Sequence, residues 1–154
     1  MYIVYFLFYF LWGLNYFKPS IIDKLDIKSE YEFHVLDETI NKVIFEINKE
    51  SFFLDKDFNK SDILKIINPT DSNIKKSIIP DIFLYQGVSG HYVPFTSEAI
   101  FVDKIPLVDI PVVILHEQAH QSGYADEGEA SFVAFRRAIN NKEPYIRYSG
   151  YFYA

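Results

Sequence analysis

The sequence contains no cysteine, which excludes disulfides, cysteine-ligated zinc, iron–sulfur clusters and a thiolate nucleophile. Any metal ion would have to be held by His, Asp or Glu. Basic residues are also few, since 15 Lys and Arg stand against 21 Asp and Glu, for a net charge of -6. That balance provides no basic surface for a phosphate backbone and argues against general nucleic-acid binding. The length of 154 residues suits one domain with one core.

Charged residues are absent from the N-terminal run MYIVYFLFYFLWGLNYF. As one helix, at about 1.5 Å per residue, this run would rise roughly 25 Å, close to the lower limit for crossing a hydrocarbon core of about 30 Å. No basic residues precede it and no small-residue cleavage site follows it, so the pattern is not that of a secretory signal peptide. We predict a hydrophobic membrane helix within residues 1–18 and a folded domain over residues 19–154. A buried core helix is the alternative for the first segment.

The pattern of the folded domain predicts more helix than strand. Residues 30–49 follow a capping-box pattern and carry apolar residues at helical spacing, and we expect this apolar face to pack in the core. A shorter helix is expected to begin after Ser61 and to end before Pro69. Residues 82–85 and 98–103 are short runs of β-forming residues on either side of a glycine loop, and we predict strands there.

The chemistry is concentrated in the stretch DIPVVILHEQAHQSG, residues 109–123. A proline near its start and a glycine at its end frame a helix of roughly three turns. His116 and His120 are four residues apart on that helix, so both imidazoles can approach one zinc ion at about 2.0 to 2.1 Å. Glu117 is turned about 100° from His116 and is placed to act as the general base on a water molecule. The alternative is a surface helix with two ordinary histidines.

A catalytic zinc site needs a third protein ligand, and three carboxylates follow the histidines: Asp126, Glu127 and Glu129. Asp126 stands where HExxHxxGxxH proteases place their third histidine, but those enzymes also need a methionine turn, and the only methionine here is Met1. Glu129 suits the capping-box glutamate of a helix that starts at Asp126. Glu127 shares a helix face with small residues that could lie close against the HExxH helix. These arguments favour Glu127 and leave Asp126 and Glu129 open.

Residues 116–121 and 126–132 resemble the zinc signature of the gluzincin peptidases, in which a second helix carries a glutamate ligand followed three residues later by a small residue. This resemblance implies that Glu127 is the third ligand. A closer resemblance, over most of the chain, is to a family of uncharacterised bacterial membrane proteins, catalogued as a domain of unknown function, with a hydrophobic N-terminal region and an inferred zinc-peptidase domain. The stretches that carry it are LWGLNYF, GHYVPFTSEA, the two zinc pieces and RYSGY. Members usually extend further at both ends, so the resemblance implies a shortened member or a fragment, incomplete at the C-terminus.

The expected fold is α+β and mostly α: a zincin-like arrangement of the HExxH helix and a glutamate helix beside a small sheet, with an N-terminal membrane helix. The expected function is that of a zinc metallopeptidase anchored in the bacterial cytoplasmic membrane, which hydrolyses peptide or protein substrates with Glu117 as base and His116, His120 and Glu127 as ligands. The alternative is a membrane-attached binding or scaffold protein whose metal site is structural or degenerate.

Further residues have weaker expectations. Tyr124, Tyr148 and His91 are candidates for stabilising a tetrahedral oxyanion. Ser131 is a candidate for supporting a ligand histidine. The strand at 97–103 could be an edge strand that lines an extended peptide, with Glu98 as a candidate for binding a substrate amine.

Overall fold

The structure is a computed structural model that describes residues 2–26, 32–54, 58–67 and 73–154. Over these residues the fold is α+β and mostly helical. The α-helices are α1 (Tyr2–Leu11), α2 (Ile21–Leu25), α3 (Phe33–Ser51), α4 (Lys60–Ile67), α5 (Pro80–Tyr85), α6 (Ile110–Gln121), α7 (Glu127–Ile139) and α8 (Pro144–Tyr153). A 3-10 helix covers Gly13–Phe17, and the strands are β1 (Ile74–Lys76), β2 (Gly90–Val93) and β3 (Glu98–Phe101).

Helix α6 lies at the centre of the core. Nine of its twelve residues are buried, because α4, α7, α8 and the sheet pack around it. Its apolar side chains join Ile63 of α4, Phe101 of β3 and Ile146 of α8 in one cluster. The polar residues of α6 are therefore carried on an element that its neighbours fix in place.

The three strands are arranged in the order β1, β3, β2. β3 pairs with β1 in parallel and with β2 in antiparallel orientation. The predicted strand at 98–103 is confirmed over Glu98–Phe101, but the expectation that it is an edge strand is wrong, because it lies between the other two. Glu98 accepts hydrogen bonds from Lys75 and Thr96. β1 and β2 are the two edge strands of the sheet.

Helix α7 packs against α6 through its small residues. Ala130 and Ala134, four residues apart on α7, are fully buried, which lets the two helix backbones come close. These are two of the small residues predicted to share a face with Glu127, and the third, Ser131, also lies on the side of α6. An ion pair ties α8 to the end of α3. Arg147 of α8 donates from Nε and Nη2 to the two carboxylate oxygens of Glu50 at 2.8 and 2.7 Å.

The strand predicted over residues 82–85 is wrong. Residues 82–85 belong to helix α5, because Pro80 at the first position fixes a helical φ and Asp81 lies in the first turn. The glycine loop continues directly into strand β2 at Gly90. The shorter helix is confirmed as α4, which ends at Ile67; Pro69 lies outside the described residues, as does most of the capping-box pattern before α3.

The apolar face of α3 is only partly covered. Val43 and Ile47 are half-buried where the C-terminal half of α3 meets α8, but Leu36, Ile40 and Ile44 are about half exposed. The expectation that the whole face packs in the core is therefore wrong. Among the described elements, α8 is the one that makes extensive contact with α3, and one neighbouring helix covers only part of the apolar face.

The N-terminal run is divided into two helices where one was predicted. α1 ends at Leu11, and the chain then turns at Trp12 into the 3-10 helix. Trp12 and Gly13 are buried, while most of the residues around them are exposed, so the break turns one aromatic side chain into the protein. Within the described ranges, no helix combines the length and the apolar character needed to cross a membrane.

Candidate metal centre

Two histidines and one glutamate meet at the point where α7 begins beside α6. His116 Nε2 lies 3.1 Å from His120 Nε2, and Glu127 Oε2 lies 3.0 Å from the first and 3.5 Å from the second. Among the residues that the structure describes, this is the one group of three or more His, Asp or Glu side chains with the spacing of metal ligands. The structure thus brings together the three side chains that the sequence favoured.

The spacing of these atoms suits a zinc ion. Two ligand atoms at about 2.0 to 2.1 Å from a tetrahedral ion are separated by about 3.3 Å. The observed separations of 3.0, 3.1 and 3.5 Å lie on either side of that value. Two imidazoles and a carboxylate are also a donor set that catalytic zinc uses, with one position left for water or substrate. The residues therefore fit zinc in both geometry and chemistry.

Neighbouring groups orient both imidazoles. His120 Nδ1 lies 2.7 Å from the carbonyl oxygen of Tyr124, so it carries the proton and donates it there, which leaves the Nε2 lone pair free. His116 Nδ1 lies 3.3 Å from the hydroxyl oxygen of Ser131 on α7. Ser131, which the sequence suggested as a support for a ligand histidine, is thus next to one. The Tyr124 carbonyl thus selects for His120 the tautomer that a metal ligand needs, while the Ser131 hydroxyl, which can donate or accept, supports His116 in either tautomer.

Burial also favours the neutral form of His116. Its removal from water and the proximity of His120 lower its pKa below the usual range, while Glu127 acts in the opposite direction. A neutral imidazole retains the lone pair that binds a metal. The Glu127 side chain is 81% exposed and reaches the partly buried His116 and the buried His120 from the solvent side.

The two other carboxylates of this region are occupied elsewhere. Asp126 is the N-cap of α7, where its side chain accepts a hydrogen bond from the backbone N–H of Glu129 at 3.0 Å. The carboxylate of Glu129 accepts a hydrogen bond from the N–H of Ile21, at the first position of α2. Glu129 therefore caps a different helix from the one that the capping-box pattern suggested.

A cleft of about 500 Å³ opens over the three ligands. α6 and the start of α7 line one part of it, and edge strand β2 lines another. The third part comes from the N-terminal segment, through Trp12 and Tyr16. Of the three candidates for oxyanion stabilisation, His91 lines this cleft, whereas the structure does not place Tyr124 or Tyr148 among its lining residues.

A family model described as a protein of unknown function, DUF3810, matches residues 1–154. The chain belongs to the DUF3810 family. The resemblance to a family with a domain of unknown function is thereby confirmed. Comparison of the DUF3810 chain with curated proteins and with solved structures gave no match.

The candidate base of the DUF3810 chain, Glu117, is almost fully buried on α6 and faces the cleft. Burial raises its pKa to about 8, and the charge of Glu127 adds to the rise. A divalent cation nearby would act in the opposite direction and favour the carboxylate. A Cβ atom added to Gly90 would lie 2.7 Å from Glu117 Oε1 and 2.8 Å from Val113 Cγ1. β2 therefore approaches the candidate base as closely as only glycine allows.

The ring of His91 packs on Phe83, with ring centroids 4.5 Å apart. Its Nδ1 atom is the one buried side-chain nitrogen or oxygen without a hydrogen-bond partner among the described part of the chain. Burial lowers the pKa of His91 and keeps the ring neutral.

Sequence reasoning missed three features of the site: Trp12, Gly90 and the edge position of β2. Trp12 and Gly90 contact residues that are distant in sequence, and a local pattern gives no signal of such contacts. Gly90 stood inside a stretch whose glycines indicated a loop. Only the family resemblance singled out the stretches that contain these residues.

Proposed function

We propose that this DUF3810 chain is a zinc-dependent metallopeptidase of zincin-like fold, attached to a membrane by its N-terminal segment. The observation that carries the proposal is the convergence of His116 Nε2, His120 Nε2 and Glu127 Oε2, with separations of 3.0 to 3.5 Å. Glu117 follows the first ligand directly on the same rigid helix and faces the same cleft. A chance cluster of surface groups would not also present a buried carboxylate and oriented imidazoles.

Each residue has a defined task in hydrolysis. His116, His120 and Glu127 would hold the metal, and zinc bound there supplies a Lewis acid that lowers the pKa of water towards about 7 and polarises an amide carbonyl. The Glu117 carboxylate accepts a proton from the attacking water and then donates it to the leaving amine. Its apolar, buried surroundings limit competition from bulk water for that proton.

The substrate class that suits the cleft is an extended peptide. β2 lies at the edge of the sheet and lines the cleft beside Glu117. An edge strand offers unpaired backbone donors and acceptors, which can hold a peptide main chain. Gly90 brings the backbone of β2 close to the candidate base.

Membrane attachment is supported by the character of α1. All ten of its residues are apolar or aromatic, none is charged, and none is buried. Their exposed fractions are large, for example 75% for Ile3 and 67% for Phe6. Apolar surface of this extent around a whole helix is typical of a lipid-contacting segment.

Zinc content and hydrolysis test the proposal together. The metal-depleted 154-residue chain is expected to take up about one zinc ion, and His120→Ala should lose it. Glu117→Gln should keep the zinc and lose hydrolysis of a peptide library by a factor of about 100 or more. His34→Ala, which removes an exposed histidine from α3, is the matched control and should change neither quantity.

Two outcomes would contradict the proposal. Wild-type protein that takes up no zinc would remove its basis. Zinc uptake without hydrolysis of any peptide would favour the alternative, a membrane-attached binding or scaffold protein with a structural or degenerate site. One observation favours that alternative: Glu127 is largely exposed, as carboxylates without a metal commonly are.

A further inference from the structure

Trp12 is the only tryptophan of the chain, and it is buried although most residues of the N-terminal segment are exposed. Trp12 is 7% exposed, whereas Leu11 before it and Leu14 two residues after it are 49% and 61% exposed. A side chain of this size is buried in an exposed segment only where a surface elsewhere in the protein receives it.

The surface that receives Trp12 belongs to the candidate metal centre. Its ring centroid lies 4.7 Å from that of Tyr92 on β2 and 6.2 Å from that of His120 on α6. The planes of Trp12 and His120 meet at 75°, the edge-to-face arrangement that aromatic rings prefer. One side chain from the N-terminal segment thus contacts both a candidate ligand and the edge strand.

The rest of this segment is fastened to the connection between α6 and α7. Lys18 Nζ donates to the carbonyl oxygen of Gly123 at 3.4 Å, just after α6 ends. The N–H of Ile21 donates to the carboxylate of Glu129 in the first turn of α7. Residues 12–21 therefore follow the edge of the site from His120 to the start of α7.

The ring of His120 needs a restraint beyond its hydrogen bond. The bond from Nδ1 to the Tyr124 carbonyl fixes one atom of the ring, but the ring can still pivot about that contact. Trp12 packs against the ring and limits this rotation. When the His120 ring is already held in place, its Nε2 is directed at the metal position before the metal binds. Binding then does not cost the entropy of ordering the ring.

We infer that Trp12 is a positioning residue for His120, and that the segment that links α1 to the domain supplies this one side chain to the surroundings of the metal site. The inference rests on the proposed zinc site and assigns a requirement to it: zinc affinity depends on an aromatic side chain at position 12.

The test measures metal affinity in the 154-residue chain. Zinc and cobalt(II) are titrated in competition with a chelator into the wild type, Trp12→Ala, Trp12→Phe and Phe17→Ala. Trp12→Ala is expected to weaken both affinities by about tenfold or more, the effect of losing a group that orients a ligand, and to alter the visible spectrum of bound cobalt(II). Trp12→Phe should restore most of the affinity. Phe17→Ala is the control, because Phe17 is an aromatic residue of the same segment that is 80% exposed.

Tryptophan fluorescence gives a second reading. Because Trp12 lies so close to His120, cobalt(II) at the site is expected to quench the emission, with saturation at one ion per chain. The His120→Ala variant should show no such quenching, although its tryptophan is intact.

The outcomes separate this inference from the proposed function. If wild-type protein binds neither metal, the zinc site itself is wrong. If it binds zinc, but folded Trp12→Ala binds with the wild-type affinity and spectrum, the site stands and the role of Trp12 is overturned. Thermal unfolding of the metal-free proteins shows which variants are folded. Should Trp12→Ala not fold, Trp12→Leu replaces it, and wild-type affinity in that variant would equally overturn the inference.

Discussion

Three carboxylates within four residues have three different tasks in this protein. Asp126 caps α7, Glu127 reaches the histidine pair, and Glu129 caps α2. The difference arises from the direction in which each side chain leaves the start of α7. A position one residue along a helix is turned by about 100°, so neighbouring carboxylates face different partners.

Asp126→Ala tests this division of tasks. Loss of the N-cap hydrogen bond is expected to lower the free energy of unfolding by about 1 kcal/mol, while the zinc stoichiometry stays unchanged. Urea unfolding and metal analysis measure the two quantities. Asp81→Ala, which removes a surface ion pair with Lys104 and an acidic residue from the first turn of the short helix α5, should lower stability by less. Loss of zinc in Asp126→Ala would mean that Asp126, and not Glu127, is the third ligand.

The residues of the site differ in how well the sequence predicts them. His116, Glu117 and His120 are fixed by local helix geometry, so their spacing was sufficient. Glu127 also needed the packing of α7 on α6, for which the small residues of α7 gave a usable signal. Trp12 was taken as part of a membrane helix, because nothing local distinguishes an aromatic residue that contacts lipid from one that contacts a distant histidine.

At the scale of elements, the long periodic segments were predicted well and the short ones poorly. α3, α4, α6 and α7 have caps, prolines or periodicities that identify them. Residues 82–85 gave a strand prediction because a short apolar run carries no period of its own, and Pro80 was the signal that should have decided for a helix. β2 is held by its pairing with β3, a contact that no local pattern encodes.

The close approach of β2 to α6 leads to a prediction for Gly90→Ala. The added methyl group would meet Glu117 Oε1 at 2.7 Å and Val113 Cγ1 at 2.8 Å, so the strand or the carboxylate has to shift. We expect a loss of about 1 to 3 kcal/mol in the free energy of unfolding and a fall in peptide hydrolysis, with zinc content unchanged. Thermal or urea unfolding and a peptidase assay measure both effects.

Gly87→Ala is the control for this prediction. Gly87 has a φ of +73°, and a Cβ there would meet nothing within 4 Å. The variant is therefore expected to lose about 1 kcal/mol from backbone strain alone and to keep its hydrolytic rate. Equal hydrolysis in the Gly90→Ala and Gly87→Ala variants would show that the contact of β2 with Glu117 has no part in the reaction.

At the scale of the whole molecule, the two ends of the N-terminal segment have opposite surroundings. α1 exposes apolar side chains on every face, whereas Trp12 is buried against the candidate metal centre. Ten helical residues rise about 15 Å, roughly half the thickness of a hydrocarbon core. Trp12 lines the cleft and directly follows Leu11, the last residue of α1. If α1 enters lipid, the cleft therefore lies close to the membrane surface, and a substrate would have to bind there.

The membrane proposal predicts that a charge on α1 weakens lipid binding without disturbing the metal site. Phe6→Asp removes an apolar side chain that is 67% exposed, so the fold should tolerate it. Loss of its contact with lipid is expected to cost about 2 kcal/mol, or about 30-fold in the partition coefficient. Flotation with phosphatidylcholine vesicles measures that coefficient. Phe52→Asp places the same charge at the end of α3, where the side chain is 86% exposed, and should bind as the wild type does. Equal flotation of the two variants would mean that α1 is not the lipid-binding element, because the same change in charge would then act alike wherever it is placed.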